Sequence, residues 1–157
     1  MGEYIQSCGF VRAKSRELVL WAQMLVRDYG GEVPDTMEEL LKLPGVGRKT
    51  ANLILGDVYH TPGVVVADTH CIRIAGRLGR TDGTKDPAKV EQQLRKVLPP
   101  EESNNFCHRL VLHGRAVCTA RKAYCEKCCM AAFCKKKGVG PNGEKLPSVK
   151  QAAKKRK

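Results

Sequence analysis

Apolar residues recur along this chain at helical spacing, in blocks separated by Gly and Pro. Over Ser15 to Tyr29, the residues Leu18, Trp21, Ala22, Leu25 and Tyr29 share one helix face, and Gly30-Gly31 closes the block. That face, Trp21 included, is expected to be core. Pro34-Asp35-Thr36 opens a second block in which Thr36 and Glu39 have capping-box spacing. Met37, Leu40 and Leu41 give its apolar side, and Pro44 ends it. A third helix follows a glycine turn, carries Ala51, Ile54, Leu55 and Val58, and fades at His60-Thr61-Pro62-Gly63. The β-branched run Val64-Val65-Val66 has no evident partner strand and is read as an extended connection beneath helices. Asp68 then caps a helix with Ile72, Ala75 and Leu78 on one face and Gly79 at its end. Asp86-Pro87 starts another, with Val90, Leu94 and Val97 as its stripe and Pro99-Pro100 as its stop. From Ser103 to Val117, Phe106, Leu110, His113 and Val117 share a face, with His113 read as an interior histidine. The pattern predicts an all-α protein of about six helices without a sheet.

The 157 residues suffice for one domain with a real core. Net charge is +12, a balance that favours an anionic partner such as nucleic acid. Much of it is terminal: residues 135–157 hold nine Lys/Arg against one Glu. That stretch, rich in Lys, Gly and Pro, is expected to be a disordered tail. No apolar run is long enough to span a membrane, and the start lacks a signal-peptide pattern. The default expectation is a soluble cytoplasmic protein with reduced thiols.

Between the second and third helices lies Leu43-Pro44-Gly45-Val46-Gly47-Arg48-Lys49-Thr50-Ala51. Glycine amides there can approach a phosphate at the positive end of the next helix, and Lys49 sits in that helix's first turn. Alone, the stretch is equally an ordinary helical corner with a solvated lysine. The eight cysteines add a second candidate. Cys118, Cys125, Cys128 and Cys134 have the spacing C-x6-C-x2-C-x5-C, with Cys129 a spare. So compact a loop favours a cubane iron–sulfur cluster over zinc, though spacing leaves both open. Arg115, Arg121, Lys122 and Lys127 are interleaved with these cysteines. Cys8, Cys71 and Cys107 stand alone on apolar segments and are read as small buried hydrophobes.

Three features combine: the LPGVGRKTA turn, Asp68 within Val66-Ala67-Asp68-Thr69-His70, and Leu112-His113-Gly114-Arg115 leading into the cysteine loop. Together, over about residues 4–135, they closely resemble the endonuclease III family, which are DNA glycosylase/AP lyases of the helix-hairpin-helix superfamily. The resemblance implies a helix-hairpin-helix glycosylase fold, part of it present here, with a C-terminal [4Fe-4S] loop. It implies a partial helical lobe over 1–100, with the helix-hairpin-helix at 36–58 and the aspartate loop at 61–80. A long helix and cluster loop would occupy 101–134, and the basic tail 135–157.

By the same resemblance, Lys49 is the nucleophile and Asp68 the catalytic carboxylate. Gly45, Val46, Gly47 and Arg48 meet a DNA phosphate, and Phe10 enters the base stack. Arg121 and Lys122 belong to the cationic loop on the backbone. Cys118, Cys125, Cys128 and Cys134 ligate the [4Fe-4S] cluster. The implied partner is double-stranded DNA carrying a damaged pyrimidine or an abasic site, bound by a monomer in a bacterial cytoplasm at the nucleoid. The implied reaction is removal of an oxidised pyrimidine and cleavage 3′ of the abasic site by β-elimination. Family members also carry helices ahead of the point matching Tyr4, so the chain is expected to be N-terminally shortened. The alternative expectation is a DNA-binding fragment without turnover.

Overall fold

The computed structural model describes residues 4, 6, 7 and 11–146. Cys8 and Phe10 lie outside the described residues. Among those described, six α-helices occur and no strand, only isolated bridges. None of the helices is long and apolar enough to cross a membrane. The chain divides into two compact units, residues 1–61 and 62–157.

In the first unit, α1 (Val11–Asp28) begins a turn earlier than the apolar pattern predicts. The Ser15 hydroxyl bonds back to Val11 O at 2.8 Å and extends that first turn. Gly30 and Gly31, both at positive φ, end it. The predicted core stripe is only partly covered: Leu25 is buried and Trp21 and Tyr29 half-buried, while Leu18 and Ala22 are exposed. Off the stripe Val19, Leu20 and Val26 are exposed as well, Val26 at 72%. Helical periodicity marks a face that can be buried; it does not supply the cover.

The second helix, α2 (Met37–Leu40), is a single turn. Thr36 caps it as predicted, accepting from Glu39 N at 3.3 Å. The reciprocal half of the capping box is not made. Glu39 instead accepts from Tyr29 at 2.7 Å and Lys42 at 2.5 Å, stitching α1 to the end of α2. A turn closed by Val46 N to Leu43 O at 3.1 Å leads into α3 (Arg48–Asp57). Ala51 and Leu55 are buried on α3 as predicted, whereas Val58 is exposed.

In the second unit, Val64 to Ala67 is a buried, extended connection, as the sequence predicts. It feeds α4 (Thr69–Leu78), which Gly79 ends in the left-handed conformation. The inward face is Cys71, Ile74 and Ala75; of the predicted Ile72, Ala75 and Leu78 only Ala75 is fully buried, the other two being half-buried. A similar rotation affects α6 (Ser103–Ala116), where Ser103, Cys107, Leu110 and Gly114 are buried and Phe106 and His113 half-buried. The cause is shared. Small residues let two helices approach, so the contact line follows Cys71, Cys107 and Gly114 rather than the largest apolar side chains. Between them, α5 (Pro87–Arg95) is capped by Asp86 and buries Val90 and Leu94. Val97, its third predicted stripe residue, is half open to solvent.

Cys71 and Cys107, isolated by sequence, are partners. The neighbouring Cys107 thiol and burial push the Cys71 thiol far up from its usual range, while Cys71 and the Val66 backbone hold the Cys107 thiol down.

Residues 135–146, which composition marks as part of a disordered tail, are held in place. Lys135 N and Lys137 N bond to Leu78 O and Arg77 O, and Ala123 N bonds to Gly143 O at 2.7 Å. The bonded groups are backbone, to which composition is blind. A side chain at Gly114 would meet His70 Nδ1 at 2.5 Å, Arg73 Nη2 at 2.8 Å and Ile74 Cδ1 at 2.9 Å. Arg73 cannot yield without losing its own hydrogen bonds, so Gly114→Ala is expected to destabilise the protein by about 1–3 kcal/mol in chemical denaturation.

Candidate functional site

The hairpin of the first unit is shaped by one backbone angle. Gly45 has φ +74, and the Glu17 side chain lies against it, 2.6 Å from where a Cβ would be. Gly47 is extended and has open space around it. Val46 N–H is already used in the turn. The amides of Gly47, Arg48 and Lys49 therefore form the start of α3, where first-turn N–H groups lack helical acceptors and favour an anion. Lys49 is exposed on that first turn. Beside the hairpin is an apolar cleft of about 430 Å³ between α1 and α3, lined by Leu18, Trp21, Pro44, Val46 and Ile54.

In the second unit, Asp68 is half-buried at the start of α4. Its Oδ1 accepts from Cys71 N at 2.7 Å, which fixes the carboxylate and leaves Oδ2 for other work.

Cys118, Cys125, Cys128 and Cys134 all line one small cavity, while Cys129 is exposed. Among the described residues no three Cys, His, Asp or Glu side chains converge on a single-ion position. Nitrogens approach three of the four sulfurs. Lys136 N lies 3.3 Å from Cys134 Sγ, His113 Nε2 3.5 Å from Cys128 Sγ and Arg77 Nη1 3.2 Å from Cys118 Sγ. Burial lowers the His113 pKa and so favours the neutral ring. The same cause raises the Cys128 thiol. Arg121 and Lys122 are exposed at the loop's outer edge, and the Lys122 amine sits 5.3 Å from the Tyr124 ring centre.

Two arginines that sequence reasoning passed over tie α4 to the end of α6 and the cysteine loop. Arg73 bonds the carbonyls of Gly114 at 3.2 Å and Cys118 at 3.1 Å, and contacts His70 Nδ1 at 3.1 Å. Arg77 bonds Thr119 O at 2.7 Å. Their signal was an i,i+4 pair of arginines on a helix with no acidic residue of its own.

A family model described as the helix-hairpin-helix motif matches residues 28–56. This is a helix-hairpin-helix protein. Endonuclease III of Synechocystis sp. is 44% identical over 132 residues, which cover 84% of this chain and 60% of that protein. That of Thermotoga maritima is 41% identical over the same share of this chain and 61% of its own. Two solved structures, a trapped endonuclease III–DNA covalent intermediate and a non-covalent endonuclease III–DNA complex, each match at TM-score 0.79 and 37% identity. Each match covers 86% of this chain and 63% of the other. Over the matched region the chain is a homologue of endonuclease III. It spans about three-fifths of the length of the curated relatives it matches.

Because Gly45 is at positive φ and in contact with Glu17, Gly45→Ala is expected to cost about 1–3 kcal/mol in thermal or chemical unfolding. Gly47→Ala, in extended backbone with free space, is expected to cost less than about 1 kcal/mol by the same measurement.

Proposed function

We propose that this chain acts in base-excision DNA repair as a bifunctional glycosylase/AP lyase on oxidised pyrimidines in double-stranded DNA. The observation that carries the reading is the exposed Lys49 on the first turn after the hairpin. It lies in a chain 37% identical to one captured as a covalent intermediate with DNA. The hairpin amides and Arg48 would seat a phosphate of the damaged strand. A damaged base must leave the stack before its glycosidic bond is reachable. Phe10 is proposed to take part in opening that stack.

Loss of the base builds positive charge on the sugar, and the Asp68 carboxylate would stabilise it. Its cap bond holds one oxygen, so the other can face the sugar and take a proton from the amine. The unprotonated Lys49 amine attacks C1′ as the C1′–N bond breaks, and the base departs with the bonding electrons. The C1′–O4′ bond then opens with its electrons and a proton going to O4′, and the iminium so formed acidifies the 2′ hydrogen. Removal of that proton expels the 3′ phosphate by β-elimination, and water releases the enzyme from the imine.

The donor set around the second cavity fits a [4Fe-4S] cluster held by Cys118, Cys125, Cys128 and Cys134. Four sulfurs share one wall-lined space, and N–H groups aim at thiolate positions. When bound, the group would organise the loop that presents Arg121 and Lys122 to the DNA backbone. Bond cleavage belongs to Lys49 and Asp68.

A second reading is a DNA-binding segment without turnover. The exposed apolar residues Leu18, Val19, Leu20 and Val26 of α1 favour it. Borohydride trapping on abasic duplex separates the two. The enzyme reading expects a covalent protein–DNA adduct that Lys49→Gln abolishes. Asp68→Asn, which keeps the cap acceptor, is expected to leave folding intact and slow adduct formation by about 100-fold or more. Folded, cluster-bearing protein that binds DNA in a salt-dependent way yet yields no adduct establishes the second reading.

A further inference from the structure

Arg77 is a charged residue only 6% exposed. Among the described residues no carboxylate pairs with it. Its guanidinium bonds only to the cysteine loop among the described residues: Cys118 Sγ at 3.2 Å, Thr119 O at 2.7 Å and Ala120 O at 3.4 Å. The residue's own carbonyl accepts from Cys134 Sγ at 3.5 Å and from Lys137 N at 3.1 Å. One residue of α4 therefore touches the first and the last cysteine of the loop. Arg73, one turn earlier, reaches the same loop through backbone carbonyls.

A guanidinium removed from water is costly unless a counter-charge meets it. Carbonyl oxygens offer partial charge only. The Cys118 sulfur as a thiolate offers a full one, and four thiolates around a cubane bring a net negative charge into the cavity that Arg77 lines. Its planar fork lets one end hold sulfur while the same group holds two carbonyls of the loop.

We propose that Arg77 is a positioning residue for the cluster: its N–H···S bond to Cys118 raises the cluster's reduction potential and slows cluster loss. The proposal rests on the cofactor reading above. A donated hydrogen bond and a nearby cation stabilise the more electron-rich state of a cluster, so their removal moves the potential down.

The experiment uses the full chain, purified anaerobically as wild type, Arg77→Gln and Arg77→Lys. Visible absorption and iron content give loading. A redox titration gives the potential, a chelator challenge the rate of cluster loss, and circular dichroism the melting temperature of each cluster-free form. Arg77→Gln is expected to shift the potential negative and to speed cluster loss by about 10-fold. Arg77→Lys keeps the charge and loses the fork, so a smaller shift in the same direction is expected. If Arg77→Gln does not load, the Lys variant decides. Loaded variants with the wild-type potential overturn the proposal, even where the cluster-free melting temperature falls, because that pattern belongs to a mere backbone clamp. Wild-type protein without iron–sulfur absorption overturns the cofactor reading itself, and the role of Arg77 falls with it.

Discussion

Helices α4 and α6 meet at a glycine, and the second unit depends on that contact. With no side chain at Gly114, the two helices come close enough for Arg73 to bond the Gly114 carbonyl and for His70 to sit where a Cβ would otherwise be. The approach also sets Cys71 against Cys107 in the interior. From this single close approach, α4 acquires two working ends. Its N-terminus holds the Asp68 carboxylate in a cap bond, and its later turns hold the cysteine loop through Arg73 and Arg77.

The loop depends on α4 because it has little structure of its own. It contains one short 3-10 turn at Cys125–Lys127 and isolated bridges. Polar anchoring takes the place of a core. Arginine side chains satisfy loop carbonyls that water or a strand partner would otherwise have to satisfy. The segment 135–146 completes this anchoring by bonding to the C-terminal carbonyls of α4 and to Ala123 and Lys122. The first unit is built differently. Its order comes from caps and turns, with Thr36, Glu39 and Gly45 fixing the path into α3, and it leaves much of the apolar face of α1 uncovered.

Local signals were legible in the sequence wherever the physics is local. Thr36, Asp68 and Asp86 cap the helices they were assigned to, because a cap bond spans only two or three residues. Gly79 ends α4 for a reason confined to one φ angle. The hairpin could be read too, since Pro44 and Gly45 carry their constraints within the dipeptide. Buried faces were less legible. Periodicity placed Leu94 and Leu110 correctly but missed the rotation of α4 and α6, which small residues set by letting a neighbour approach. The face expected on α1 is buried only in part, at Leu25 with Trp21 and Tyr29 beside it, for a related reason: burial is a relation between segments.

The sequence by itself thus determined the helical class, the capped starts of the helices, the glycine hairpin with Lys49 in its first turn, and the set of cysteines. Its motifs also carried the family resemblance. Only the tertiary structure decided which side chains share a space. It gathered Cys118, Cys125, Cys128 and Cys134 around one cavity and paired Cys71 with Cys107. It also aimed Arg77, across 41 positions of sequence, at the Cys118 sulfur. The physical reason is range. A cap or a turn is decided within a few bonds of backbone, whereas a counter-charge or a ligand shell exists only when packing brings distant segments within hydrogen-bond reach.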